Sequence, residues 1–143
     1  MKVSKRAVEL AKVQARKSTL KHQHGAVLLD SRGRVINTGY NYALYYPEPS
    51  LDKRGHWSIH AEQAALTGLR GARVEGCAML IVRINPRDQL RLSKPCKRCW
   101  KLLTRKGLTR VAYSDNGGNI VRERLVRVPH AVAPATPRCL PTA

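Results

Sequence analysis

The spacing of apolar and polar residues predicts three helices along the chain. From residue 4 to about residue 17, apolar side chains share one face and basic side chains share another, which is typical of a surface helix. The side chain of Ser4 can cap its first turn. A second helix is predicted from about residue 59 to residue 69, with Ser58 as its cap, and a third from Pro95 to about residue 106.

Strands are predicted between and after these helices. Residues 25–30 and 35–38 are separated by turn residues, so we expect them to pair as a β-hairpin. The unbroken apolar run at residues 78–82 is typical of a central strand that is covered on both faces. Two more runs, within residues 111–128, flank the turn sequence Asp-Asn-Gly-Gly, which predicts an antiparallel last pair. This pattern predicts an α/β fold with helices packed on a mixed sheet of about five strands.

Other stretches of the chain lack a regular pattern. Residues 41–57 contain Pro47 and Pro49 and are predicted to form a long loop that is rich in aromatic and basic side chains. Residues 83–94 predict a shorter polar loop. From residue 129 onward the chain is rich in proline, so we expect one folded domain over residues 1–128 and a disordered tail over residues 129–143.

Length and hydropathy limit the class of protein. The chain has 143 residues, of which 43% are hydrophobic, and this is enough for one domain with an apolar core. No apolar run approaches the roughly 18 residues of a membrane span, and the first residues lack the apolar stretch of a secretory signal. We therefore expect an intracellular protein of the cytoplasm or nucleus that is not secreted and has no membrane partner.

The net charge points to a class of partner. Lys and Arg number 27 against 9 Asp and Glu, which gives a formal charge of +18. Because neutralising phosphates releases their counterions, such a chain favours a nucleic-acid or nucleotide partner. A solvated, arginine-rich surface is the simpler alternative. We hypothesise that the basic faces of the first and third helices, with Arg122 and Arg124, form one track for a polyanion.

Two short motifs contain residues that can bind a metal. His60-Ala61-Glu62 opens the second predicted helix, and Cys96 and Cys99 lie at the start of the third. A Cys-x-x-Cys pair alone also suits structural zinc or redox chemistry. With one imidazole added, the two thiolates supply three zinc ligands and leave the fourth position for water, and the positive end of the helix favours thiolate. Glu62, which is not itself a ligand, can carry protons.

The order of these motifs resembles the signature of the zinc-dependent nucleobase deaminases, His-x-Glu followed by Pro-Cys-x-x-Cys. With Gly25-Ala26-Val27 and Gly39-Tyr40-Asn41 in the same order, the chain is similar to the cytidine/deoxycytidylate deaminase superfamily over residues 4–128. The resemblance implies a three-layer α-β-α fold, in which helices cover both faces of a five-stranded sheet, and a Zn²⁺ cofactor. It also implies roles for individual residues: zinc ligands His60, Cys96 and Cys99; proton carrier Glu62; and substrate contacts Asn41, the backbone N–H of Ala61, and Tyr113.

The implied reaction converts cytosine to uracil by hydrolysis, in a nucleotide or in single-stranded DNA or RNA. The charge favours a polynucleotide, and the chain lacks the Asn-x-Glu pair with which free-cytidine enzymes grip the ribose. An antiparallel last pair of strands, however, is unusual in the polynucleotide-editing and tRNA-acting branches. A tRNA-type adenosine deaminase and a non-catalytic, zinc-stabilised nucleic-acid binder stay open as alternatives, although Glu62 argues against the second.

The sequence leaves other points open. For Tyr113, a buried strand tyrosine is the alternative to a substrate contact. Cys77 precedes the central apolar run and is expected to be a small buried side chain. Nothing in the sequence decides the oligomeric state, and a homo-oligomer is among the alternatives.

Overall fold

A computed structural model describes residues 2–44, 57–69 and 74–126 of the protein. Within these residues the chain forms three α-helices: α1 (Lys5–Arg16), α2 (Ala61–Ala65) and α3 (Lys97–Arg105). The strands of the same residues are β1 (Gln23–Leu29), β2 (Val35–Tyr40), β3 (Tyr42–Leu44), β4 (Trp57–Ile59), β5 (Ala78–Ile84), β6 (Leu90–Arg91), β7 (Arg110–Ser114) and β8 (Ile120–Arg124). No helix in the described ranges is long and apolar enough to cross a membrane.

The main sheet is mixed, as the sequence predicts. Its strands lie in the order β2-β1-β5-β7-β8, and β6 pairs with the end of β5. Strands β5 and β7 run parallel, whereas the other neighbours are antiparallel. The last pair, β7 and β8, aligns Ser114 with Ile120 and Arg110 with Arg124, which confirms the antiparallel arrangement predicted from the turn between them.

Helices cover both faces of this sheet. Because side chains alternate along a strand, β1 sends Val27 and Leu29 to the face under α1 and Leu28 to the face under α2 and α3. Residues of β5 divide in the same way, and both strands are buried on both sides. The predicted three-layer arrangement is confirmed. Since α1 and α3 lie on opposite faces, the hypothesis of one polyanion track through both helices is wrong.

Two glycines let the helices approach the sheet closely. A Cβ atom on Gly25 would clash with the main chain of α1 at Ala11, and one on Gly39 would clash with the main chain of α2 at Ala65. Both positions therefore require glycine, and substitution would push the helices outward. The contact at Gly39 sets the position of α2, which begins directly after His60.

The predicted boundaries are wrong around the long loop. Residues 57–59 form β4, which pairs with β3, so the ends of the stretch that was expected to be irregular are strands. The second helix consequently begins at Ala61, not near residue 59, with His60 in place of Ser58 at the cap. The prolines of this stretch and the proline-rich tail lie outside the described residues. The predicted loop over residues 83–94 contains the end of β5 and all of β6.

Candidate zinc centre and active site

The starts of two helices meet on one face of the sheet. His60 caps α2, Cys96 caps α3, and Cys99 lies in the first turn of α3. The side chain of Gln63 accepts a hydrogen bond from the backbone N–H of His60 at 2.9 Å, which fixes the turn that carries the imidazole. These two helix starts hold the side chains of both sequence motifs beside one another.

The three predicted ligands form a compact group. Their donor atoms lie within 4.8 Å of one another, and no other such group of at least three His, Cys, Asp or Glu occurs in the part of the chain that the structure describes. The Nδ1 atom of His60 is 3.1 Å from Sγ of Cys99 and 3.8 Å from Sγ of Cys96. Donors on a tetrahedral zinc ion are about 3.5 Å apart, given Zn–N and Zn–S bonds of about 2.0–2.3 Å. The residues therefore fit zinc.

The protonation chemistry of the group also calls for a cation. Cys99 is 1% exposed, and burial together with Glu62 and Cys96 raises the pKa of its thiol above the ordinary value. The sulfurs of Cys96 and Cys99 lie together with the carboxyl of Glu62, and of these residues Cys99 and Glu62 are buried whereas Cys96 is exposed. A divalent cation with a preference for thiolate and imidazole ligands would stabilise their charged forms.

Glu62 lies beside this group as the sequence predicts. It is 5% exposed, and burial raises the pKa of its carboxyl, an effect that its own backbone N–H, Cys99 and His60 partly oppose. A carboxyl with a raised pKa exchanges protons nearer to neutral pH than an exposed one does. The placement suits a group that both takes up and releases protons.

A cleft of about 430 Å³ opens at this site. Its volume lies in the usual range for small-ligand sites. The cleft is lined by three of the four predicted site residues that are not zinc ligands, namely Asn41, Ala61 and Glu62. The fourth, Tyr113, does not line it. The lining residues are Leu20, Lys21, His22, His24, Asn41, Ser58, His60, Ala61, Glu62, Ser93, Lys94 and Cys96.

Two hydrogen bonds to the main chain hold the side chain of Asn41 at the start of β1. Its Oδ1 accepts a hydrogen bond from the N–H of His24 at 2.9 Å, and its Nδ2 donates one to the carbonyl of His22 at 2.6 Å. The side chain thus joins the end of β2 to the start of β1. Ala61 lies in the first turn of α2, where a backbone N–H has no acceptor within the helix. The substrate contacts expected for both residues stay predictions.

Tyr113 belongs to a cluster beside the cleft. Its hydroxyl donates a hydrogen bond to Glu123 at 2.6 Å, and burial together with Glu123 raises its pKa to about 12. The ammonium of Lys94 lies 3.5 Å from the same carboxylate, 5.5 Å from the ring centre of Trp100 and 6.0 Å from that of Tyr113. Tyr113 is 6% exposed, which agrees with the buried alternative. Its neighbour Lys94, and not Tyr113 itself, lines the cleft.

Lys94 and His24 also belong to the site but are not among the residues predicted from the sequence. Lys94 directly precedes Pro95 of the zinc motif, so its place in the chain was a usable signal. His24 had no motif around it, and only the pairing of β1 with β5 brings it opposite Arg83. Burial, with Arg83, His22 and His60 nearby, lowers the pKa of His24 to about 4. His24 is therefore a neutral imidazole in the cleft at pH 7.

Replacing His24 with glutamine is expected to reduce the acid sensitivity of folding. Because the pKa of His24 falls from 6.5 to about 4 on folding, the unfolded chain binds more protons between these values. Its contribution to stability is complete above about pH 6.5 and is lost as the pH falls toward 4. Urea unfolding at pH 7 and pH 5 should show a loss smaller by about 1–2 kcal/mol in His24→Gln than in the parent chain.

The neighbouring His22→Gln, an exposed position, provides the control for this experiment. It should retain most of the pH dependence of the parent chain, because burial is the largest cause of the lowered pKa of His24. Equal pH dependence of stability in all three proteins would show that His24 is not the group responsible.

Comparison with known proteins identifies the family. The model of the cytidine and deoxycytidylate deaminase zinc-binding region matches residues 1–115. The chain belongs to this family. Similar solved structures include cytidine deaminase from Burkholderia pseudomallei, at 21% identity over 86% of this chain and 94% of that one, with a TM-score of 0.62. Another is dCMP deaminase from cyanophage S-TIM5, at 17% identity over 80% and 86% of the two chains, with a TM-score of 0.53. No curated protein sequence matches the chain.

Membership in this deaminase family settles the class of activity. The chain is a hydrolytic deaminase with zinc as its cofactor, and His60, Cys96 and Cys99 are able to bind the ion. The fold of the cytidine and dCMP deaminases agrees with the predicted α/β architecture. The identity of the base and the size of the substrate are separate questions.

Proposed function

We propose that this deaminase acts on the cytosine of a free cytidine or deoxycytidine monophosphate. The observation that carries the proposal is the charge of the cleft: Glu62 is the one carboxylate among its described lining residues, whereas Lys21 and Lys94 supply positive charge. A nucleotide has an uncharged base and an anionic phosphate, and this cleft offers a proton carrier for the first and cations for the second.

The residues of the chain divide the chemistry between them. Water adds to C4 of cytosine, N3 gains a proton, the C4–N4 bond breaks, and ammonia leaves to give uracil. Glu62 accepts one proton from water and delivers it to N3, and it then takes the proton of the new C4 hydroxyl and delivers it to the departing amine. His60, Cys96 and Cys99 would hold zinc, which would supply Lewis-acid chemistry that lowers the pKa of water toward neutrality. The N–H of Ala61 offers a donor to the base carbonyl.

Two further observations favour a nucleotide over a polynucleotide. Strands β7 and β8 are antiparallel, whereas the polynucleotide-editing and tRNA-acting branches to which the motifs are also similar usually have this pair parallel. The cyanophage S-TIM5 dCMP deaminase, which has the same fold, is known in complex with dCMP and dUMP. The non-catalytic alternative leaves the buried carboxyl of Glu62 without a role.

Lys94 is the residue that we expect to bind the phosphate. Its ammonium is already oriented by Glu123 and by the faces of Trp100 and Tyr113, and its side chain is 52% exposed beside the cleft. A cation that is held in place loses little further freedom when it binds an anion. A phosphate would share the ammonium with Glu123.

Lys94→Gln is therefore expected to raise KM for dCMP by about tenfold or more, because it removes one charge-assisted hydrogen bond. The values of kcat for dCMP and of kcat/KM for deoxycytidine should change little, since the nucleoside has no phosphate. Lys101→Gln, an exposed change on α3 outside the cleft lining, is the matched control. Equal losses on both substrates would contradict a phosphate contact. Conversion of a cytosine oligonucleotide but not of dCMP would overturn the proposed substrate.

A further inference from the structure

The surplus positive charge of the chain is not concentrated at the cleft. Three arginines lie side by side on β7 and β8, and we call Arg110, Arg122 and Arg124 the arginine face. We propose that the arginine face is a second binding surface, which takes the phosphate backbone of a nucleic acid and is separate from the active site. This second surface takes no part in the deaminase reaction, and its role does not depend on the choice of substrate proposed for the cleft.

The alternation of side chains assigns these arginines to one side of the sheet. Ala112 of β7 and Ile120 of β8 pack in the core under α1. Arg110, Arg122 and Arg124 are each an even number of residues from one of these two positions, so they point to the same side. Glu123, between the last two, points to the opposite side and pairs with Tyr113 and Lys94.

Among the described residues, this side of the last two strands is open to solvent at Arg122 and Arg124, whereas Ala112 is buried. Helix α1 packs on β1, β5 and β2, which lie farther along the sheet. Arg122 and Arg124 are exposed, and Arg110 is half-buried. The sheet therefore separates the arginine face from the cleft, which lies on the side of α2 and α3.

Among the described residues, no acidic side chain pairs with the arginine face. Arg110 is directly opposite Arg124 in the antiparallel register, a like-charge pair that destabilises a sheet. None of the three guanidinium groups makes an ion pair within the described ranges, whereas Lys12 and Arg16 of α1 are paired with Asp88. The sequence that follows, residues 125–143, adds two more arginines and contains no Asp or Glu. A bound polyanion would supply the missing negative charge.

The chemistry of the face favours a nucleic-acid backbone over a membrane. Guanidinium groups bind phosphate in a planar, two-point geometry, and alternate residues place Arg122 and Arg124 about 7 Å apart in a row along β8. A sequence pI near 10.7 is typical of nucleic-acid-binding domains. Insertion into a bilayer needs apolar side chains beside the cations. Among the described residues, no exposed large apolar side chain lies on β7 or β8, and a single one, Val126, lies just after β8.

The test compares two variants that lose the same charge from opposite faces of the zinc-loaded, full-length chain. Arg110→Gln/Arg122→Gln/Arg124→Gln removes the arginine face. Lys101→Gln/Arg105→Gln/Lys106→Gln removes three exposed cations, two within α3 and one at its C-cap. The probe is a fluorescein-labelled 20-residue oligo(dT), whose bases have no exocyclic amino group to hydrolyse. Binding is followed by fluorescence anisotropy across a salt series, with dCMP deamination and thermal unfolding measured in parallel.

We expect the parent chain and the α3 variant to bind oligo(dT) with similar, salt-dependent affinity. The arginine-face variant should bind at least tenfold more weakly at low salt, and its slope of log affinity against log salt should fall by about 2, as loss of three phosphate contacts on a single strand predicts. Its dCMP deamination should be unchanged. Its melting temperature should not fall, because the like-charge pair is removed.

Three results would overturn the proposal. Equal weakening by both variants would show a diffuse electrostatic effect. Absence of oligo(dT) binding by the parent chain at low salt would exclude the partner, and binding to phosphatidylserine vesicles without binding to oligo(dT) would assign the face to a membrane. Loss of deaminase activity in all proteins would instead count against the proposed function, since the binding measurement does not use the cleft.

Discussion

Replacing Glu62 with glutamine is expected to lower kcat for dCMP by about 10²–10⁴-fold, the range attributed to a positioned acid–base group. The amide has nearly the shape of the carboxyl but cannot accept the proton of water or return it to the base. Zinc content should stay at that of the parent chain, because Glu62 is not among the three grouped ligands. The melting temperature should not fall, since glutamine avoids the cost of burying an ionised carboxyl.

Ammonia release from dCMP, zinc content and thermal unfolding should be measured on the same preparations. Glu9→Gln is the matched control, because it makes the same chemical change on the exposed side of α1, where the carboxylate is 61% exposed. Its kcat should equal that of the parent chain. If Glu62→Gln retained activity within about threefold, the proton-carrier role would be wrong. If the variant lost zinc together with its activity, Glu62 would belong to the metal site.

Cys99→Ser is expected to abolish zinc binding and, with it, deamination. Cys99 is buried and lies within reach of both other ligands, so its loss leaves only His60 and Cys96 to hold the ion. A metal present at about 1,000 times its Kd stabilises the folded state by about 4 kcal/mol. For a chain of this size, that loss lowers the melting temperature by about 10 °C. Treatment of the parent chain with a chelator should produce a similar decrease.

Cys77→Ser is the control that separates loss of metal from loss of packing. Cys77 is also buried, at 3% exposure in the core beneath α2 and α3, and this confirms the prediction of a small buried side chain. Serine there should lower the melting temperature through poorer packing while zinc content and activity per folded chain persist. Retention of stoichiometric zinc by Cys99→Ser would contradict the assigned ligand set.

Much of the fold follows from local sequence patterns. The amphipathic spacing of α1, the turn between β1 and β2, and the unbroken apolar run of β5 each identify an element without information from elsewhere in the chain. Gly107, at a φ of 86°, ends α3 as a local signal should. The turn before β8 fixes the antiparallel direction of the last pair, because so short a connection cannot return a strand in parallel.

The zinc motifs could also be identified from local sequence, because their chemistry depends on residue type and short spacing. Cys96 and Cys99 lie on one turn of helix, and His60 and Glu62 on another, so each half of the site is local. Only the order of the motifs, through its resemblance to a known family, indicated that the two halves would meet. The structure adds the distances between the donor atoms, and these distances fit a zinc ion.

What the sequence determined was therefore the class of fold, the elements with strong periodicity and the group of residues able to bind zinc. The tertiary structure decided the pairing of β3 with β4, which places the start of α2 later in the chain than predicted. It also decided the cluster in which Glu123 and Trp100 orient Lys94. It also placed the charged helices on opposite faces and aligned Arg110 with Arg124. These features depend on residues far apart in the chain, and no local pattern encodes which strand edges and side chains meet.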